Sequence, residues 1–147
     1  MNPESAGTTP PAAQTTERVF YDGHCGLCHF TVRFVLLRDR AGRFRFAPLE
    51  GATFRRTVPA QVRATLPDSV IVQTTEGELL SRSAAVFYLL NRLGGVWRIL
   101  AAFGSIVPVT LRDRVYDWLA AVRHRLFPAP AAACPLVPPH LRDRFDD

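Results

Sequence analysis

An extended apolar run that stops at a turn and is followed at once by a Cys-x-x-Cys pair opening a helix dictates how this chain can be built. Val19, Phe20 and Tyr21 are β-branched or aromatic, as a strand requires, and Asp22-Gly23 breaks the run where glycine tolerates any backbone angle. From Leu27 the pattern turns helical. Phe30, Phe34 and Leu37 recur at i, i+4 and i+7, and Val32, Val35 and Leu36 fill much of the remaining circumference, so the helix is expected to be largely buried against a sheet.

The two thiols then sit at a strand-to-helix junction, where free backbone N–H groups and the positive end of the helix dipole favour a thiolate. Such placement lowers a Cys-x-x-Cys pKa from about 8.5 to roughly 3.5–7.5. Cys25 is the thiol so placed and the candidate nucleophile. Cys28 lies one turn along the same face, expected to be the less exposed of the two, and is the candidate resolving thiol. Asp22 is either a proton acceptor for Cys28 or a cap on the helix start, and a carboxylate there also opposes a thiolate at Cys25. His24, if protonated, favours that thiolate; otherwise it is an exposed turn residue.

The chain has 147 residues, 48% of them hydrophobic, which fits one compact domain. Its net charge of +5 comes from 18 basic and 13 acidic residues, and every basic residue is arginine. The arginines are scattered, with Arg38, Arg40, Arg43 and Arg45 the largest cluster, and no reading motif accompanies them, so no nucleic-acid partner is expected. Residues 1–17 lack a basic start and an apolar stretch and read as a disordered tail, not a signal peptide. Three cysteines in that context point to redox or metal use and a cytoplasmic location. The longest uncharged apolar piece, Ile99 to Leu111, is too short to span a membrane and contains Pro108, so no transmembrane segment is expected, although peripheral contact remains open.

Beyond the first helix, Gly42 suits a helix end, and Arg43 to Phe46 alternates strictly, giving a half-buried strand that Pro48 stops. Strand, helix, strand in this order predicts parallel pairing. Residues 51–66 read as a broken helical connection, with Pro59 a helix start and Val62 and Leu66 on its inner face. A strand over Val70 to Val72 turns at Glu76-Gly77 into an antiparallel one around Leu79-Leu80. Ser83 is the expected N-cap of a helix from Ala84 to Leu93, which Gly94-Gly95 ends. Two further helices follow, Val96 to Phe103 and Pro108 to Leu126, the latter with a stripe of Leu111, Val115, Leu119 and Val122 that Trp118 and Leu126 widen. Residues 128–147 form a Pro/Ala-rich tail carrying Cys134, leaving 18–127 as the folded domain. The order β, α, β, α, β, β, α with Cys-x-x-Cys after the first strand is that of an α/β, thioredoxin-like sandwich with a C-terminal helical extension.

Asp22-Gly23-His24-Cys25-Gly26-Leu27-Cys28 resembles the Asp-x-x-Cys-x-x-Cys signature of the DCC family, a group of small proteins classed as thiol-disulfide oxidoreductases. Ser81 to Ala85, Pro108, Leu111-Arg112-Asp113, Val115-Tyr116-Asp117, Cys134 and Arg144-Phe145 are similar to that family's downstream pattern. The resemblance implies a thioredoxin-like fold and dithiol chemistry; the expected activity is exchange with protein or small-molecule disulfides, with an external reductant and no cofactor beyond the dithiol. Pro67 stands where thioredoxin-like proteins carry a cis-proline against the dithiol, so Cys25, Cys28, Asp22 and Pro67 form the expected site. Leu27 departs from thioredoxin's own motif, which has proline there, and leaves the redox direction open. Cys134 is either a chance tail cysteine or, as the resemblance implies, a third redox thiol. Two other readings stand beside this one. One is a binding or adaptor module with a vestigial dithiol, and the other is a small zinc protein in which His24, His29 and Cys134 complete the pair.

Overall fold

Four strands carry the fold: β1 (Glu17–Tyr21), β2 (Phe44–Pro48), β3 (Ile71–Gln73) and β4 (Leu79–Ser81), in the order β2-β1-β3-β4. β1 and β2 run parallel, with Val19 opposite Phe46, and α1 (Gly26–Arg38) connects them. β3 is antiparallel to β1, and β4 to β3. This computed structural model describes residues 16–67, 69–126 and 139–147; residues 1–15 of the expected N-terminal tail and Cys134 lie outside them. The strand begins at Glu17, inside the stretch expected as tail. The Glu17 carboxylate is buried, bonded by the Tyr88 hydroxyl (2.6 Å) and paired with Arg92 (2.7 Å).

Successive β1 residues point to opposite faces of the sheet. Val19 and Tyr21 pack with Val32, Val35 and Leu36 of α1, with Phe44 and Phe46, and with Ala85 and Leu89 of α4 (Arg82–Leu93). Phe20 packs on the other side with Ala47, Ile71 and Val58 and with Phe54 of α2 (Ala52–Thr57), which a short α3 (Ala60–Arg63) follows. Phe20, Phe44 and Phe46 are 0% exposed, each worth roughly 2–3 kcal/mol of apolar burial. With both faces covered and β1 central, the architecture is a thioredoxin-like α/β sandwich. α5 (Gly95–Gly104) and α6 (Val109–Leu126) extend it, packing on α4 and, through α6, on α1. Gly104 permits that approach, since a Cβ there would lie 2.6 Å from the Phe87 ring.

Several sequence expectations change. The buried face of α1 is Cys28, His29, Val32, Val35 and Leu36, while Phe30 and Leu37 point to solvent. Apolar residues lie on both sides of this helix, so periodicity alone could not choose the face; the pleated sheet takes the narrower β-branched side. Val62 is exposed, and α3 buries no residue. β4 runs into α4 without a loop, so Ser81, not Ser83, holds the N-cap position. Ser83 lies in the first turn and its hydroxyl donates to the Asp113 carboxylate. Most of the α6 stripe faces outward: Leu111, Val115, Trp118 and Leu126 are exposed and Leu119 and Val122 half-buried, whereas Arg123 is buried. Residues 139–147, within the stretch expected as a tail, pack on β2 through a 3-10 helix (Pro139–Arg144) and Phe145, which stacks on Phe46 at 5.3 Å.

Candidate active site

β1 delivers the chain to a tight turn directly above the sheet's central strand. The Asp22 carboxylate accepts the His24 amide (2.9 Å), and the Asp22 carbonyl accepts the Cys25 amide (3.3 Å). Asp22 therefore holds the turn that precedes α1, while Cys25 itself occupies the N-cap position in an extended conformation (φ −104°, ψ 118°). The Cys25 sulfur accepts the Cys28 amide at 3.4 Å, and the Cys25 carbonyl accepts the His29 amide at 3.1 Å. One orphan N–H of the helix start is thus satisfied by sulfur, which takes the place of an N-cap oxygen.

A second tie comes from His29, whose Nε2 lies 2.7 Å from the Gly23 carbonyl. A carbonyl only accepts, so Nε2 carries the proton and donates. The ring is buried with its edge toward Tyr21, centroids 5.9 Å apart. His29 thereby fastens the cysteine turn to α1.

Cys25 and Cys28 are both free thiols. They are 1% and 3% exposed, so the expected difference in exposure is not found; both thiols belong to the same buried cluster. Burial pushes the Cys28 thiol up to about 12, assisted by its hydrogen bond to Cys25 and the charge Cys25 would carry. The Asp22 backbone and Arg123 pull in the opposite direction. A cavity of about 570 Å³ opens onto Cys28, walled by Leu27, Phe87, Val115, Tyr116 and Arg123 among others. Burial raises the Tyr116 phenol too, and Cys28 adds to that shift. Cys25 is not part of this wall.

Cys25, Cys28 and Asp22 lie together at the turn into α1, whereas Pro67 lies elsewhere. The Leu66–Pro67 bond is trans, and Pro67 borders a separate hollow with Arg82, Ser83 and Asp113. The approach to β3 is closed instead by the Ser69 amide donating to the Pro67 carbonyl (2.9 Å), a turn that needs no cis bond. His24 points outward to Glu50, 3.4 Å away. With His29 committed to Gly23, the pair gains no further ligands from these histidines, and among the described residues no three His, Cys, Asp or Glu side chains converge on a point. The sequence offers His29 only as a possible zinc ligand and Tyr116 only within the family-like pattern, and it does not place Arg123 at the site at all. The signal for the last two was available: Arg112, Tyr116 and Arg123 recur at i, i+4 and i+11, on one side of the helix.

A family model described as DCC1-like thiol-disulfide oxidoreductase matches residues 19–129. The Bacillus subtilis protein named uncharacterized protein YuxK is 29% identical over 127 residues, 86% of this chain and 91% of that protein. The chloroplastic DCC family protein At1g52590 of Arabidopsis thaliana is 28% identical over 109 residues, 74% of this chain and 63% of that protein. No solved structure matches the chain. The matched stretch begins in β1, takes in the Cys-x-x-Cys junction and the Tyr116 and Arg123 stripe, and runs past the end of α6; the chain belongs to the DCC1-like thiol-disulfide oxidoreductase family.

Proposed function

We propose that this protein exchanges a dithiol for a disulfide, with Cys25 as nucleophile and Cys28 as resolving thiol. The observation that carries the reading is the asymmetry of the pair: an amide donates to the Cys25 sulfur at the start of α1, while the Cys28 thiol is pushed up to about 12 and stays protonated at neutral pH. The Cys25 thiolate attacks one sulfur of a substrate disulfide, forming a mixed disulfide and expelling the other sulfur as a thiolate. Cys28 then gives its proton to solvent or to the expelled thiolate and attacks the Cys25 sulfur, releasing the second substrate thiolate. Two electrons pass to the substrate, the Cys25–Cys28 disulfide remains, and an external thiol reductant restores the pair. Because Cys25 is 1% exposed, the turn over it opens before attack. Asp22 acts by shaping that turn, as its bond to His24 supports.

The test is incubation with graded ratios of reduced to oxidised glutathione, followed by peptide mass mapping. A Cys25–Cys28 disulfide forming over a defined range of potentials, and a mixed disulfide with glutathione accumulating on Cys25 in Cys28→Ser, are the expected results. A second reading, a binding module whose pair performs no exchange, draws on the burial of both thiols. It is the correct one if the native protein forms neither species while the denatured chain does.

A further inference from the structure

The α5–α6 extension is built inside out. In α5 only Ala101 is buried, whereas Ile99, Leu100 and Phe103 are exposed, Phe103 to 68%. At the corner between the helices Ile106 reaches 78%. In α6, Leu111, Val115, Trp118 and Leu126 are all more than half exposed, while the polar stripe with Tyr116 and Arg123 turns inward toward Cys28. An apolar face of this extent marks a surface that meets something other than water.

Charge says what that is. Residues 95–126 contain five arginines and two aspartates, a local net charge of 5 − 2 = +3. Both aspartates are engaged within the fold, Asp113 by Ser83 and Asp117 by Arg82 at 3.5 Å. Arg98, Arg114 and Arg125 are exposed. Arg114 and Arg125 stand four residues before and seven after Trp118, so they share its side of α6. Two copies of so basic a face repel each other, which disfavours self-association through it. An apolar face flanked by arginines fits a bilayer carrying negative lipid headgroups. The helices meet at 112°; no single described helix is long and apolar enough to cross a membrane, and only the bent pair together has the length and composition for it, so the exposed Arg98, Arg114 and Arg125 along both helices are what favour a corner lying on the surface.

We propose that the α5–α6 corner docks the protein on an anionic lipid bilayer, with Phe103, Ile106 and Trp118 entering the acyl boundary and Arg98, Arg114 and Arg125 meeting the phosphates. Val107, Leu111 and Val115 belong both to this face and to the cavity at Cys28, so docking sets the cavity mouth at the lipid surface. The proposal stands apart from the redox reading, since no thiol takes part.

The experiment is co-sedimentation of the full chain with vesicles of phosphatidylcholine alone or with phosphatidylglycerol added. Preferential binding to the anionic vesicles is expected, with a blue shift of Trp118 emission measured in a Trp97→Phe background. Phe103→Asp with Ile106→Asp is expected to lower partitioning at least about tenfold without changing the melting temperature, both residues being exposed. Replacing Arg98, Arg114 and Arg125 by Gln is expected to lower binding to the anionic vesicles alone, by about tenfold or more. Cys25→Ser with Cys28→Ser binds as the parent does. Absence of binding to either vesicle, or binding that survives Phe103→Asp with Ile106→Asp, overturns the proposal. So does a stable dimer in ultracentrifugation that Phe103→Asp splits, which assigns the face to a second copy.

Discussion

Burial keeps the Cys28 thiol neutral, and its hydrogen bond to Cys25 and any charge there raise it further. Alkylation followed against pH at each thiol is expected to show Cys28 reacting appreciably only as the pH nears 12, with Cys25 taking all of the label at neutral pH; equal rates at pH 7 contradict the assignment. The shift also bears on stability. A thiol raised in the folded state from its ordinary 9.0 to about 12 contributes stability that is complete below pH 9 and lost as the pH rises from 9 toward 12, at up to roughly 1.4 kcal/mol per pH unit. Urea midpoints across that window fall for the native chain and less steeply for Cys28→Ala. At this scale the Cys-x-x-Cys position was fully legible, because a strand ending in Asp22-Gly23 leaves little choice of where the helix begins. The burial of Cys25 and the bond from His29 to Gly23 were not, since both depend on how the turn folds back over α1.

Among the elements, β2 poses the problem that an edge strand always poses, a row of unpaired backbone groups. Residues 145–146 answer it. Phe145 bridges Phe46, and the Asp146 amide donates to the Phe46 carbonyl (2.7 Å), with the Asp146 carboxylate held below its usual range by Arg45 at 3.0 and 3.1 Å. Arg144 reaches further in, donating to the Phe44 carbonyl (3.0 and 2.8 Å) and to the buried carboxylate of Asp39, which itself caps the Phe44 amide (2.9 Å). Nothing in a Pro-, Asp- and Arg-rich sequence announces this docking, because long-range ion pairs leave no periodic trace. Arg144→Ala strands a buried carboxylate and is expected to cost about 2–4 kcal/mol in denaturant unfolding, whereas Arg142→Ala is expected to change little. Equal effects of the two substitutions contradict the arrangement.

On the scale of the whole molecule, hydrophobic periodicity located every long helix but did not decide whether the apolar side of α6 faces the protein. Periodicity reports that a helix has an apolar side; whether that side meets a core or another apolar medium depends on what remains to be covered once the sheet is full. Here α1 and α4 already cover one sheet face and α2 the other, so α6 packs against α4 and α1 by its Tyr116 and Arg123 side and leaves its apolar stripe outside. The two possibilities differ sharply in energy. A stripe that formed a core would lose about 2–5 kcal/mol for each large side chain cut back, whereas exposed positions change stability by no more than about 0.5 kcal/mol. Leu111→Gln, Val115→Gln and Trp118→Gln, each unfolded in urea in the absence of lipid, are expected to stay within that small range. Leu89→Ala, 3% exposed in the core beneath α4, serves as the contrast and is expected to lose at least about 2 kcal/mol. Should the α6 substitutions prove as costly as Leu89→Ala, the stripe is core after all, and the inward placement of Arg123 beside the dithiol fails with it.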